Sequence, residues 1–361
     1  MSSSPEKLPV LVGMTSAEIT EWVTAQGEKP FRGRQIAQWL YQKHVTNAEN
    51  MSDLSKAFRQ TLQEKALVSP GKIVETVKSA DGTTKFLIEL QDGEIVECVT
   101  IVQKQHLTAC VSSQVGCNVG CPFCATGLSG FRRNLTAGEI VIQYLLMQQA
   151  AEAGLLADHT PHTRIGSMVF MGMGEPLLNY DAVLSSMQIF NKEIGLGMRH
   201  MTISTSGIIP GIERLMKEPV DYNLAISLHS VKTEVRNRLV PINRKYGVNE
   251  LLQAAKLYAN RTGRRITFEY TLLQGINDSA EDAKALIKAL RGIHCHINLI
   301  AYNPVKSAFQ APPRKEILSF QFLLTEAGFP ATIRHNHGQA DMAACGQLRV
   351  HQREKDLQVL N

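Results

Sequence analysis

Three cysteines stand in the run SSQVGCNVGCPFCATGLSG, residues 112–130: Cys117, Cys121 and Cys124, spaced C-x3-C-x2-C. Structural zinc sites commonly use paired C-x2-C units with a second pair or two histidines further along. A zinc reading therefore needs a distant fourth ligand, from Cys98, Cys110, Cys345 or a histidine. A cubane iron–sulfur cluster is normally held by one thiolate per iron. Three thiolates leave one iron open to a small ligand, as catalytic zinc keeps an open position. Gly116, Gly120, Gly127 and Gly130 let the loop wrap closely around such a group, and the tight trio favours the cluster over zinc.

Further polar residues recur at the ends of apolar runs. VFMGMGEPLLN, residues 169–179, is not a dinucleotide fingerprint, because Glu-Pro follows its single G-x-G. Gly172 and Gly174 allow close backbone approach, and Glu175 can accept a hydrogen bond from a ligand ammonium. A plain strand-ending turn is the competing reading. ISTSG, LAISLH and AYNP place Ser204, Ser227, His229 and Asn303 at equivalent ends. Each hydroxyl or amide alone would more often be a strand-end cap.

The elements that must position these residues are legible in the periodicity. With 361 residues, 44% apolar and 20% charged, the chain has room for one large α/β domain and a small accessory one. Seven cysteines do not make a disulfide scaffold, the first residues lack a signal-peptide pattern, and no run reaches the ~18–20 apolar residues of a membrane span. A cytoplasmic protein with reduced thiols is expected. The net charge of +5 permits a nucleic-acid partner without demanding one. Over residues 14–68, Ile19, Trp22 and Val23, then Ile36, Trp39 and Leu40, then Leu54, Phe58 and Leu62 fall at helical spacing. Their basic neighbours, Lys29, Arg32, Arg34, Lys43, Lys56 and Arg59, are either solvated faces or RNA-phosphate contacts.

Asp81-Gly82 and Asp92-Gly93 then punctuate a β-meander. From about residue 105, LTACVSS, SMVFMG, HMTISTS, NLAISLH, RITFEYTLL and HINLIAY alternate with amphipathic helical stretches, and ATIRH is a possible extra strand. Thr136-x-x-Glu139 is a capping box just past the cysteine loop. The expected fold is α/β, a partial (β/α)6 barrel with chemistry at the C-terminal strand ends. The expected units are a helical accessory domain (1–70), a β-meander linker (71–104), the barrel (105–350) and a tail (351–361).

The trio, with the aromatic Phe123 before its last cysteine, resembles the signature of the radical S-adenosylmethionine superfamily. In that superfamily the open iron chelates S-adenosylmethionine, and an electron from the cluster cleaves the sulfonium to a 5′-deoxyadenosyl radical. CVSSQVGC, FRRNLTAGEI, MGMGEPLLN, ISTSG, AISLH, NLIAYNPV and AACGQL together resemble the RlmN-type adenine methyltransferases of 23S rRNA and tRNA, over residues from about 29 to 348. The resemblance implies a 4Fe–4S cluster on Cys117, Cys121 and Cys124. It implies S-adenosylmethionine contacts from Phe123, Gly174, Glu175, Ser204, Ser227, Leu228, His229 and Asn303.

It also implies two molecules of S-adenosylmethionine per turnover. Cys345 takes a methyl group from the first; the radical made from the second removes hydrogen from that methyl, and the resulting carbon adds to adenine C2. Cys110 then resolves the adduct as a disulfide with Cys345, and Cys110 or Glu97, in IVECVTI, is the candidate proton acceptor. The implied partners are 23S rRNA at the peptidyl-transferase centre, tRNA at the adenosine next to the anticodon, and an electron donor such as flavodoxin, with the chain a monomer. The alternatives are a C8-directed relative of the Cfr type and, in another class, a zinc-bearing RNA-interaction module. RNA contacts are expected from Arg132, Arg133, Arg199 with His200, and Arg334. One departure stands in HNHGQADMAACGQL: His337 replaces the family's arginine, and Ala340 stands where aspartate is expected, with Asp341 one place late. The pairs His335-x-His337 and His294-x-His296 are read as solvated rather than as zinc ligands.

Overall fold

In the computed structural model, which describes residues 8–103, 106–157, 163–334 and 338–349, the apolar repeats near the N-terminus become buried helix faces. Ile19 and Val23 lie on the inner face of α1 (Ser16–Ala25), Ile36 and Leu40 on that of α2 (Phe31–Tyr41), and Phe58 and Leu62 on that of α3 (Lys56–Lys65). Thr15 and Ser55 start the first and third helices by accepting from the backbone N–H of Glu18 and Phe58. This unit is fastened to the body: the Ser16 N–H and hydroxyl both donate to Glu193 Oε1, at 3.0 and 3.1 Å.

The meander forms as β1 (Gly71–Lys78), β2 (Thr84–Leu90) and β3 (Ile95–Val102), with Asp81 and Asp92 accepting from the N–H two residues on to close its turns. It is not a separate linker. β3 pairs antiparallel with β4 (Leu107–Cys110), Val99 opposite Cys110, so the meander is one wing of a ten-stranded sheet. Its polar residues Thr84, Lys85, Glu94 and Glu97 are buried. The C-terminal segment accounts for part of that burial, since it bonds to Lys85 and Glu97.

After β4 the chain makes a two-stranded hairpin, β5 (Gln114–Gly116) with β6 (Phe131–Asn134), which encloses the cysteine run and the short α4 (Ala125–Leu128). Helix α5 (Ala137–Glu152) then leads to β7 (Ile165–Phe170). The same step repeats through α6 (Tyr180–Lys192) to β8 (Met201–Thr205), and through α7 (Ile209–Leu215) to β9 (Asn223–Ser227). It continues through α8 (Thr233–Leu239) and α9 (Val248–Thr262) to β10 (Ile266–Leu272), and through α10 (Ala280–Leu290) to β11 (Cys295–Ala301). Last come α11 (Arg314–Glu326) and β12 (Ala331–Arg334), the strand read in ATIRH.

From β4 onward every strand of the large sheet pairs parallel with the next one in the chain. β1 and β12 are its two edges, so the sheet is open, yet it curves enough for Cys110 and Arg334 to line one cavity. This is the expected partial barrel, with a seventh parallel strand. Among the described residues no helix is long and apolar enough to cross a membrane. Residues 351–361, His335 and His337 lie outside the described residues.

Candidate active site

The cysteine loop is held at its neck. Gly116 has φ +79°, and a Cβ there would lie 1.9 Å from the Gly130 carbonyl oxygen, so only glycine lets the two strands meet. Cys117 N–H then donates to that same carbonyl at 2.9 Å. Above the neck Cys117, Cys121 and Cys124 line a cavity of about 1000 Å³ at the C-terminal ends of the barrel strands. Burial pushes the Cys117 thiol up to about 12 and that of Cys121 well above its ordinary value, with Cys124 adding to both. Thiols so placed become thiolates when a cation displaces their protons, the linkage a thiolate-held cluster supplies. Three sulfurs on one cavity wall are a donor set that fits iron–sulfur ligation.

Gly174 and Glu175 face the trio. Gly174 has φ +103°, and a Cβ there would sit 2.6 Å from Gln114 Cβ. Gln114 Oε1 accepts from Glu175 N–H at 2.9 Å, locking the turn to β5. The Glu175 carboxylate accepts from Leu177 N–H (3.0 Å), Ser206 N–H (2.6 Å) and Ser206 Oγ–H (2.7 Å). Burial pushes its pKa up and these bonds oppose the rise. Ser204 and Ser227 end their strands on the same wall. Asn303 Nδ2 donates to the Cys345 carbonyl at 3.0 Å, while its buried Oδ1 has no hydrogen-bond partner and is available to a ligand.

His229 adopts φ +56°, and its Nδ1 accepts from Thr271 N–H at 3.0 Å. Burial first, then Arg236, pushes its pKa down to about 3, so the ring is neutral and carries its proton on Nε2. Phe123 packs edge-on against it at 4.9 Å. Leu228 is the exception among the expected cofactor contacts. Between Ser227 and His229 its side chain points away into the core, as strand alternation requires, and its carbonyl accepts from Arg236 Nε at 3.0 Å.

Arg236 was not singled out from the sequence. Fully buried, it also donates to Asn243 Oδ1 (2.7 Å) and to the carbonyls of Ser206 (2.7 Å) and Ser227 (3.2 Å), tying the ends of β8 and β9 together. One signal was available: it starts the RNRL end of a short helix just beyond LAISLH, but a basic residue there reads as solvated.

A second, smaller chamber contains both remaining candidate thiols. Cys110 and Cys345 line it with Met171, Asn303 and Arg334, and Cys345 faces the main cavity as well. Both cysteines are free. Burial pushes Cys110 up to about 12, with Cys345 adding and Arg334 opposing. Burial raises Cys345 too, and Arg334 is again the main opposing charge. The loop bearing Cys345 is bonded on several sides. Ala125 N–H donates to the Gly346 carbonyl (2.7 Å), Thr126 Oγ–H to that of Leu348 (2.5 Å), and Gln347 Nε2 to that of Pro304 (3.1 Å).

Several expectations change. Glu97 lines neither cavity; its Oε2 accepts from Arg349 N–H at 2.9 Å, and its Oε1 lies 3.3 Å from Lys85 Nζ. In this arrangement it anchors the Cys345 loop rather than facing a base. Arg132 and Arg133 are not free for RNA: Arg132 pairs with Glu94 at 2.6 Å, and Arg133 pairs with both oxygens of Glu139 and with Asp92. Their charges fix the hairpin. Arg334 sits inside the barrel, Arg199 and His200 remain exposed, and His296 is only half-exposed, with Nε2 2.8 Å from Thr332 Oγ1. Cys98 and Cys295 are buried core residues, as read.

Comparison with known proteins agrees with this arrangement. A family model described as the ribosomal RNA large subunit methyltransferase N-terminal domain matches residues 10–68, and one of the radical SAM superfamily matches residues 111–288. A probable dual-specificity RNA methyltransferase RlmN of Moorella thermoacetica is 47% identical over 95% of this chain and 98% of its own length. The chain belongs to the RlmN family. The Bacillus subtilis member is 44% identical over 96% of this chain and 95% of its own. The crystal structure of a radical SAM methyltransferase from Sphaerobacter thermophilus superposes with a TM-score of 0.89 at 42% identity, covering 94% of this chain and 99% of that one. As a radical SAM protein of the RlmN family, the chain is an RNA methyltransferase that uses a 4Fe–4S cluster and S-adenosylmethionine.

Proposed function

We propose that this protein methylates C2 of an adenosine in 23S rRNA, at the peptidyl-transferase centre, and in tRNA, next to the anticodon. The observation that carries the reading is the shared chamber: Cys110 and Cys345 line it together, and Cys345 also faces the three-cysteine cavity. Adenine C2 is an electron-poor amidine carbon, so it cannot attack a sulfonium methyl directly, and a protein-borne carrier answers that difficulty. When bound, the cluster supplies the electron that turns S-adenosylmethionine into a hydrogen-abstracting radical. The unpartnered Asn303 oxygen, the neutral His229, Ser204, Ser227 and the Gly174–Glu175 turn are the groups that would hold the cosubstrate.

Cys345 loses its thiol proton and takes a methyl group on sulfur; Arg334 beside it favours the thiolate. Two molecules of S-adenosylmethionine are used in each turnover, one for that methyl and one for the radical. Once the methyl carbon is bonded to C2 and the adduct has given up its C2 proton and one electron, for which the oxidised cluster would be the acceptor when bound, the Cys110 thiolate attacks the Cys345 sulfur. The carbon–sulfur bond breaks, its electron pair goes to the exocyclic carbon, and that carbon takes a proton to become the methyl group. A disulfide remains and is reduced by external thiols. Cys110 lines the chamber and is the better placed acceptor for the C2 proton; Glu97 would reach it only after the loop moves. The chain acts in the cytoplasm as a monomer, with flavodoxin or a similar protein as electron donor.

The relatives' description as dual-specificity RlmN enzymes favours C2 over C8. Mass spectrometry of RNA treated with reconstituted enzyme tests this: 2-methyladenosine is expected, and the 8-methyl isomer or no product overturns the reading. Cys345→Ala should abolish methylation, and Cys110→Ala should leave RNA covalently bound to the protein. Absence of that adduct would remove Cys110 from the resolving step.

A further inference from the structure

Three cavities meet at two side chains. Met171 and Arg334 line the main cavity, the two-thiol chamber and a third cavity of about 770 Å³. The strand residues of this third cavity lie two positions before residues of the upper ones: Thr108 before Cys110, Thr202 before Ser204, Asn298 before Ile300. Two positions along a strand keep the same face, so the third cavity is the next layer down inside the barrel. Its inner wall is polar. Thr108 and Ser167 hydroxyls lie 2.6 Å apart, and the buried Glu269 accepts from Asn298 Nδ2 at 2.9 Å and faces Arg334 Nη1 at 4.0 Å. At its rim stand Arg199 and His200, both exposed and neither paired with a carboxylate among the described residues.

The upper approach is taken. The main cavity is where the cluster and cosubstrate fit, and Ala125 and Thr126 bond the Cys345 loop across it. A substrate carbon must nevertheless come within bonding distance of the methyl group on Cys345. Ile101 walls both the lower cavity and the two-thiol chamber, Glu269 both the lower and the main cavity, and the two described residues common to all three, Met171 and Arg334, touch at 3.5 Å between Sδ and Nη1. Both are long, unbranched side chains that can change rotamer without moving the sheet.

We propose that this lower cavity is the antechamber that admits a single extruded RNA nucleotide, with its phosphate on Arg199 and His200 and with Met171 and Arg334 moving aside to pass the base. Cations at the rim and hydroxyl, amide and carboxylate groups within match a nucleotide's phosphate and the polar edge of its base. A slot lined by strand residues inside a barrel takes an unstacked nucleotide and not a duplex. The inference rests on the RNA-methylating reading above.

The test uses the full-length reconstituted enzyme and a stem-loop RNA carrying the target adenosine. Arg199→Glu should raise KM for RNA ~10-fold with kcat nearly unchanged. It should also make the salt dependence of RNA binding, read by fluorescence anisotropy, shallower by about 0.7 for each phosphate that is no longer neutralised. Thr202→Trp, which fills the cavity, should cut methylation by more than ~100-fold while the protein retains its iron and melting temperature. Should Thr202→Trp fail to fold, the Arg199→Glu salt slope decides. An unchanged KM and unchanged slope in Arg199→Glu overturn the antechamber while the unsubstituted enzyme still methylates RNA. Failure of the unsubstituted enzyme to methylate RNA overturns the functional reading, and the antechamber with it.

Discussion

Lys85 should govern how firmly the methyl-carrying loop is held. Its ammonium lies 3.3 Å from Glu97 Oε1 and donates to the Met342 carbonyl at 3.2 Å, while Glu97 Oε2 accepts from Arg349 N–H at 2.9 Å. The pair thus ties down the loop on both sides of Cys345. Its side chains are 9% and 1% exposed, so Lys85→Met takes a buried cationic partner from a carboxylate that stays in the interior. Breaking a buried pair from one side costs about 3–5 kcal/mol, and the surviving Arg349 bond argues for the lower figure. Lys85→Met with Glu97→Gln removes the stranded charge and keeps an acceptor for Arg349, so it should recover about 2 kcal/mol of the loss. Urea midpoints at constant slope measure both.

The loop itself gives a second readout. Losing a charge-assisted bond of about 1.5–3 kcal/mol should let it open ~10- to 100-fold more often, and alkylation of Cys345 by iodoacetamide, followed by mass spectrometry, should quicken by that factor. If Lys85→Met unfolds at the same urea concentration and its Cys345 reacts at the unsubstituted rate, the clamp is not what holds the loop.

Arg334→Met should move the pH profile of Cys345 methylation to higher pH. Arg334 opposes the burial that raises this thiol, so its loss leaves less thiolate at neutral pH, about tenfold less for each pH unit of displacement. A profile that stays in place would show that Arg334 does not act on this sulfur. His229 should make stability depend on acidity: unfolded, the ring takes a proton near pH 6.5, whereas folded it resists until about 3. Stability should therefore fall as pH drops from about 6.5, by up to ~1.4 kcal/mol per unit, and His229→Gln should flatten that slope; parallel curves in urea unfolding would contradict it. Gly116→Ala, with φ +79° and a Cβ only 1.9 Å from the Gly130 carbonyl, should spring the hairpin neck by more than about 1 kcal/mol and cost the protein most of its iron after reconstitution. Full iron loading in that variant would show that the neck does not shape the loop.

What could be read from residues alone, and what could not, divides along the range of the interaction. The cysteine trio, the glycine turns and the strand-ending polar residues are local signals, and each parallel strand from Leu107 to Arg334 carries its own apolar run. Leu228 was drawn in by its neighbours; one-residue alternation, also a local rule, would have sent it to the core. Most of the remaining differences arise from partners distant in sequence. Arg132 reads as a free cation until Glu94, some forty residues earlier, is found beside it. Glu97 reads as a candidate proton acceptor until Arg349 closes over it. The meander reads as a linker because its register against β4 depends on a pairing that no period-two pattern encodes.

Those long-range contacts concentrate on one object, the Cys345 loop. It touches the meander through Lys85 and Glu97, the cysteine loop through Ala125 and Thr126, and the end of β11 through Asn303 and Pro304. A carrier sulfur must meet a cosubstrate, a resolving thiol and an RNA base in turn. A short loop bonded to three separate walls, each by a few hydrogen bonds of about 1 kcal/mol, can be held in register at one wall while it yields at another.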